Sequence, residues 1–500
     1  MKRLVVLGAT LAVVVACGPE DPAAVESRVR DVCSRCHRFP PPEILPAELW
    51  RTQIERMAEL GSDPPSPSVG PAVEFSVEEV VEWYEARAPA QLHVERSLTR
   101  APPAPLRFRR RNVLLGPEGG PGIATVKRLE PGLLPGLEPS LATPHMANGS
   151  IHLFSLQNGP LMIGEAGHPA RIAQGDLNGD GRDELVIADL GIPMPTDELV
   201  GRVVVARPAP GGTFAFQTIL EGVGRVADAR PFDLDGDGDL DIAVAAFGWL
   251  ASGGIYVLHN ETPPGGRLAF RAEQLSERSG AVSAIPVDEL RPGAGPGIAV
   301  AFAQHHEFVS LFERSATGWE ERILYRAPHP NWGMDDLEPV DLDRDGDLDF
   351  LLAHGDTLDD GLAFKPYHGV EWLENRGDGR FRAQRIGGLY GAHRAEAADL
   401  DADGDLDVVA SGFLPQVQLP VPKGGMQVDS VIWFERTDAG WTPWPVEINH
   451  PRHTGMTLVD LDGNGWIDVV AAINHAWDLE VKEAGPGLEV WFNEGPRPPD

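Results

Sequence analysis

Asp233-Leu-Asp-Gly-Asp-Gly-Asp-Leu-Asp241, followed at once by Ile242-Ala-Val-Ala245, is the stretch on which the fold turns. Acids occupy every odd position of the nonapeptide: Asp233, Asp235, Asp237, Asp239 and Asp241. The same form recurs in four further places. Its odd positions read Asp176, Asn178, Asp180, Arg182 and Glu184 in one copy, and Asp341, Asp343, Asp345, Asp347 and Asp349 in another. They read Asp399, Asp401, Asp403, Asp405 and Asp407 in the next, and Asp460, Asp462, Asn464, Trp466 and Asp468 in the last. An apolar run such as Val408-Val-Ala410 follows each copy.

The copies start 57, 108, 58 and 61 residues apart, and the long gap equals two periods. A decayed copy at Glu289 to Gly297, with Ile298-Ala-Val300 behind it, fills that gap. Another at Glu130 to Glu138 keeps acids at its first and ninth positions, with Ser150-Ile-His-Leu-Phe154 downstream. Seven copies result. Repeats of this length indicate a solenoid or a propeller. Strand signals between the loops, such as Gly254-Ile-Tyr-Val-Leu258 and Ser430-Val-Ile-Trp-Phe434, favour a propeller of four-stranded sheets.

The nonapeptide suggests its own chemistry. Side-chain oxygens at positions one, three, five and nine, with a backbone carbonyl at seven, make the oxygen-rich shell that Ca²⁺ prefers, and glycine at six permits the sharp turn. An EF-hand needs glutamate at position twelve, where this chain has Ile187, Val244, Leu352, Ala410 and Ala471. The expectation is about five strand–loop–strand calcium sites, against the alternative of acidic turns without metal. The copies at Glu130 and Glu289 lack the ligands.

The N-terminal part is different. Lys2 and Arg3 precede an apolar run, Leu4 to Val15, too short to span a bilayer, as in an export signal. Val14-Val15-Ala16-Cys17 resembles a bacterial lipobox, which implies lipidation at Cys17; the alternative is an ordinary signal peptide cleaved nearby. Cys33-Ser34-Arg35-Cys36-His37 has the form of a c-type haem attachment site, with Cys33 and Cys36 bound to the porphyrin and His37 as proximal iron ligand. A local disulfide or half of a zinc site are the alternatives, and no second cysteine pair exists to complete a zinc cluster.

The surroundings of this motif resemble a small cytochrome c, with helices expected from Pro46 to Leu60 and from Ser76, where Glu79 completes a capping box. Met57 is the candidate distal ligand, with His93 and a five-coordinate iron as alternatives. The acidic repeats resemble the FG-GAP/VCBS repeats of integrin-like seven-bladed propellers. The whole chain resembles exported bacterial cytochrome c/VCBS fusion proteins, a resemblance that implies an architecture and no particular reaction.

The expected fold is a small all-α cytochrome c-like domain followed by an all-β seven-bladed propeller. Expected boundaries are a lipoprotein signal at 1–16, a tether at 17–26, the haem domain at 27–90, a linker at 91–112, the propeller at 113–495 and a tail at 496–500. The linker holds a basic cluster, Arg107-Phe-Arg-Arg-Arg111, read as a solvated strand.

Composition sets further bounds. Forty-two basic and 75 acidic residues give a formal charge of −33. That argues against nucleic acid and against a charge-held lipid surface. At positions one, three, five and nine the five loops hold eighteen carboxylates, so much of the acidity is ligand-like. The leading expectation is a monomeric outer-membrane or cell-surface lipoprotein carrying one covalent haem c. It transfers electrons and binds a redox partner or extracellular ligand through its propeller, touching the membrane only through the lipid. The alternatives are an oxidoreductase with substrate in the propeller funnel, and an adhesin. Candidate funnel residues are His168, Arg225, Trp332, His393 and His453, with Asp356, Asp359, His368 and the run Gln304-His305-His306-Glu307 contributing from one face; the alternative, which is favoured, is that all of these are hydrogen-bonded structural residues or surface loops.

Overall fold

The computed structural model describes residues 21–35, 37–60, 76–95, 104–115, 122–131, 133–134, 140–358, 364–415, 427–474 and 485–498. They divide into two units, 1–91 and 92–500. Among the described residues no helix is long and apolar enough to cross a membrane. The expected signal, with Cys17, lies outside the described residues, as do Cys36 and Asp359.

The first unit holds three short helices, α1 (Pro22–Cys33), α2 (Ala47–Leu60) and α3 (Val77–Glu85). Asp21 caps α1 and proline occupies its first turn, where a missing N–H costs nothing. Ser76 caps α3 through the Glu79 amide. The Glu79 side chain pairs with Arg28, so the expected capping box is bound to the rest of the chain on its acidic side. Trp50, Ile54, Val80, Val81, Trp83 and Tyr84 are buried, and the Trp50 and Tyr84 rings stack at 3.9 Å. A cytochrome c-like arrangement is not evident in these three helices.

The second unit is a seven-bladed β-propeller. Seven four-stranded antiparallel sheets span Lys127–Glu165, Pro169–Val223, Val226–Ser276, Ala281–Arg326, Met334–Gly388, Ala392–Ile448 and His453–Pro496, here called blades one to seven. The last is completed by the strand Leu106–Val113, which pairs with Leu488–Pro496. The boundary expected at 113 therefore moves: the basic cluster is the outermost strand of blade seven, not linker. A run of exposed arginines between a buried Leu106 and a buried Val113 suits an exposed edge position.

Every acidic nonapeptide connects the first and second strands of its blade, and its ninth residue opens the second strand. Those second strands, such as Asp241–Ala246 and Asp407–Gly412, are buried along their whole length, because neighbouring blades cover both faces. Seven apolar clusters fill the junctions between adjacent blades, the one joining Leu141 and Phe154 to Val470 and Val490 closing the ring. The leucine at position two is buried in each junction; Leu177, Leu234, Leu342, Leu400 and Leu461 are at most 1 % exposed.

First strands contact one another around the axis and leave one edge towards the channel. That free edge explains Pro231, Pro286 and Pro339 at equivalent sites, since a missing amide costs no ladder bond there. Six of the seven first strands carry a bulge near their start, skipping Ala170, Ala227, Val282, Asp335, His393 and Thr454.

Candidate functional site

The acidic loops lie at one end of the propeller. Their first residue gathers the turn. Asp233 accepts from the amides of Gly236 and Gly238 at 2.8 and 3.1 Å, and Asp176, Asp341 and Asp460 act alike. Residue five accepts from amide seven, as Asp237 does from Asp239 at 3.1 Å. These bonds turn several oxygens inward. One oxygen from each of Asp233, Asp235 and Asp237 lies within 4.8 Å of the others, and the same holds for Asp341, Asp343 and Asp349 and for Asp399, Asp401 and Asp403.

Several of these oxygens lack a donor. Asn178 Oδ1, Asp239 Oδ1, Asp241 Oδ2, Asp343 Oδ1, Asp399 Oδ1 and Asp405 Oδ1 are buried and meet no hydrogen-bond partner. Burial pushes Asp407 and Glu184 up to about 7 and Asp349 and Asp468 up to about 6, with nearby loop carboxylates adding to the rise. Crowded, orphaned oxygens of this kind are what a hard cation neutralises, so the donor set fits Ca²⁺.

Position nine does more than the sequence suggests. Asp349 accepts from the Asn375 amide at 2.7 Å, the Leu342 amide at 3.2 Å and Trp372 Nε1 at 2.9 Å. Asp407 and Asp468 hold the corresponding amides, and Glu184 holds Leu177 N and Asn178 Nδ2. This acid is a bracket between strands, and its spare lone pairs are what remain for a metal. Position four is also left-handed throughout the five loops; Arg344 and Ala402 adopt φ of 59° and 60° there, a cost for any residue but glycine. Glycine at position four of the other three copies was the readable signal.

In the first unit, Cys33 ends α1 and His37 follows shortly after. His37 Nδ1 lies 2.8 Å from the Arg38 carbonyl. A proton held on Nδ1 by that carbonyl leaves Nε2 with its lone pair, the tautomer an iron ligand needs. Met57 lies half-buried on α2, and His93 is exposed and belongs to the second unit.

The axial channel is polar. A cavity of about 230 Å³ is lined by Lys127, Arg171, Asp228, Arg230, Arg394 and Glu396 among others. Asp336 accepts from Arg171 and Arg394, both at 2.6 Å, and Arg394 also reaches Glu338 and Glu396 at 2.9 Å. Next to Arg394, the candidate His393 has an acid beside it: its Nδ1 is 3.4 Å from Asp335. Burial alone would depress His393, and Asp335 and Asp336 outweigh it to raise the imidazole above its usual value.

The remaining candidates are ties rather than one constellation. His168 Nδ1 sits 2.7 Å from the Met146 carbonyl. Arg225 donates to the carbonyls of Gly248 and Pro193. His453 Nε2 meets Glu447 at 2.6 Å inside a network with Arg110 and Glu489. Asp356 holds the amide of Leu358, and Glu307 that of Met334. Trp332 and His368 are buried on either side of Tyr367, Trp332 stacked on its ring at 5.7 Å and His368 meeting it edge-on at 5.3 Å. Sequence reasoning missed Asp335, whose only signal is that it precedes Asp336 in an unusually acidic first strand.

The FG-GAP-like repeat family model matches residues 176–244 and 354–410. The chain carries FG-GAP-like repeats. The first matched stretch includes two acidic loops and the second includes one, each with all or most of the second strand that follows it. No curated protein matches the sequence. Among solved structures, the chain is similar to BBS1N in its complex with ARL6DN, at 10 % identity and a TM-score of 0.44 over 77 % of this chain and 97 % of that one. It is similar to a streptogramin B lyase at 12 % identity and TM-score 0.45, over 77 % and 98 %. A virginiamycin B lyase from Staphylococcus aureus gives 10 % and 0.44, over 77 % and 99 %. The propeller described above rests on its own strand order.

Proposed function

We propose that this chain is an exported c-type cytochrome for electron transfer, whose propeller is stabilised by calcium and binds a partner protein or extracellular ligand. The observation that carries the haem half is the Cys33–His37 motif with His37 Nδ1 held by a carbonyl, which leaves Nε2 for iron. Haem would supply one reversible electron; Cys33, Cys36 and His37 would hold it, with Met57 the candidate distal ligand. The orphaned oxygens of the acidic loops support about five Ca²⁺ ions. Export by a lipoprotein signal, with Cys17 as the lipidated residue, belongs to the same reading and places the protein at the outer membrane or cell surface.

The decisive experiment is expression in a host with c-type haem maturation, followed by a pyridine haemochrome spectrum. A covalent c-type spectrum lost in Cys33→Ser and Cys36→Ser supports the reading; an unattached chain that exchanges no electrons with a partner cytochrome overturns it.

A second reading, a haem-linked oxidoreductase acting at the channel mouth, is favoured by one observation. Two adjacent blades place Asp335 and His393 at their bulges, where four other blades carry alanine, valine or threonine. Bulges re-aim side chains beside functional sites. Haem reduction by a small substrate, abolished in His393→Ala, separates this reading from the first.

A further inference from the structure

Blade three differs from the other acidic-loop blades at one position. The ladder in which Ile242 faces Leu258 sets His259, on the third strand, beside position nine of the loop. The same register sets Arg207, Glu374, Glu435 and Phe492 there in blades two, five, six and seven. Five loops of one design thus meet a guanidinium, two carboxylates, a phenyl ring and a single imidazole.

The imidazole converges on its loop. One nitrogen of His259 and one oxygen each of Asp235 and Asp241 lie within 4.8 Å of one another. Asp241 and His259 are buried, at 2 % and 6 % exposure. Asp241 Oδ1 accepts from the Asn260 amide at 2.8 Å, while Oδ2 is buried and meets no hydrogen-bond partner. A buried carboxylate oxygen without a donor is rare and asks for an explanation.

His259 Nε2 lies 2.7 Å from Glu273 Oε2 on the fourth strand. An ionised carboxylate can only accept, so the proton belongs on Nε2 and Nδ1 keeps its lone pair. A carboxylate on the second ring nitrogen is the usual support of a metal-bound histidine. Among the described residues no lysine or arginine pairs with Asp235, Asp241 or Glu273; Arg271, opposite His259 in the ladder, pairs with Glu261 at 3.3 Å. The carboxylates beside the imidazole are therefore not neutralised by a cation of the protein. Ligand type then decides the ion. Ca²⁺ takes oxygen ligands, whereas Zn²⁺ binds imidazole and carboxylate together.

We propose that Asp235, Asp241 and His259 make the loop of blade three a mixed nitrogen–oxygen site that prefers a divalent transition ion such as Zn²⁺ over Ca²⁺. The inference rests on the reading of the acidic loops as cation sites and concerns only which ion this loop selects. The full-length holoprotein is dialysed against buffered Zn²⁺ in a large excess of Ca²⁺, and both metals are counted by elemental analysis. Wild type should hold one Zn²⁺. His259→Glu, which copies blades five and six, should lose that Zn²⁺. Zinc absent from the wild type, or kept equally by His259→Glu, overturns the site. Zinc-edge X-ray absorption of the loaded wild type needs no variant: imidazole scattering supports the site, and an all-oxygen shell overturns it. The Ca²⁺ count reads the other four loops separately, so its absence would overturn the calcium reading and leave the zinc result to decide this one.

Discussion

The side-chain amide of Asn375 donates to the carbonyl of Leu290, 3.0 Å away in the preceding blade, while its backbone amide is held by Asp349 of its own blade. Asn260 links Leu177 to Asp241 in the same way, and Asn493 links Leu400 to Asp468. In blade six Arg436 takes this place, reaching Leu342 at 2.7 Å. Position nine of one loop is therefore wired to position two of the loop before it. The acidic loops form a belt that joins blades as well as strands.

Cutting one link should loosen one junction. Asn375→Ala leaves the Leu290 carbonyl without its donor and should cost about 1–2 kcal/mol. Urea unfolding of the full chain measures this, and a midpoint equal to wild type removes the link from the stability account.

Calcium should act through the same belt. An ion that binds only the folded chain raises its stability with concentration, so chelation should lower the melting temperature and added Ca²⁺ restore it. Asp235→Ala should remove one bound ion by titration calorimetry and leave the haem spectrum unchanged. A melt indifferent to chelator would dispose of the metal reading.

Acid should attack the channel. Burial alone would raise Asp336, yet Arg394 and Arg171 outweigh it and hold the carboxyl down at about 2. A depressed carboxylate stabilises the folded state above its unfolded value of about 3.9, and that contribution, about 2 kcal/mol, fades as pH falls towards 2. Stability measured from pH 5 to 2 should fall less steeply in Asp336→Asn than in wild type. Parallel slopes would assign the acid sensitivity elsewhere.

Backbone relief offers an opposite effect. Ala402 holds φ of 60° with open space around its loop neighbour Gly404, so Ala402→Gly should stabilise blade six by about 1 kcal/mol despite the added freedom of the unfolded chain. A lower denaturation midpoint would show that the left-handed turn carries no strain.

Period and strand signals made seven blades legible, including the decayed copies at Glu130 and Glu289, because spacing survives when ligands are lost. The closing strand was not legible: Arg107 to Arg111 pairs with residues more than 370 positions away, and no local pattern announces such a partner. Asp349 read as a ligand from composition, while its bracket role needs the positions of Leu342, Trp372 and Asn375. His393 was visible as a candidate; the Asp335 beside it depends on two bulges in different blades. The rings packed around Trp332 come from two loops and a strand end separated in sequence, so only His368 and Trp332 were legible as candidates.

Leu106–Val113 is among the first parts of the propeller to be synthesised and Leu488–Pro496 the last, yet each is the other's neighbour in blade seven. The ring thus cannot shut until the chain is complete. Six sheets are made while their first and last faces still stand open, and closure is the final act of assembly. Until then the early edge strand must wait unpaired through some 375 residues of synthesis, and its run of arginines keeps that waiting edge from pairing with the wrong strand.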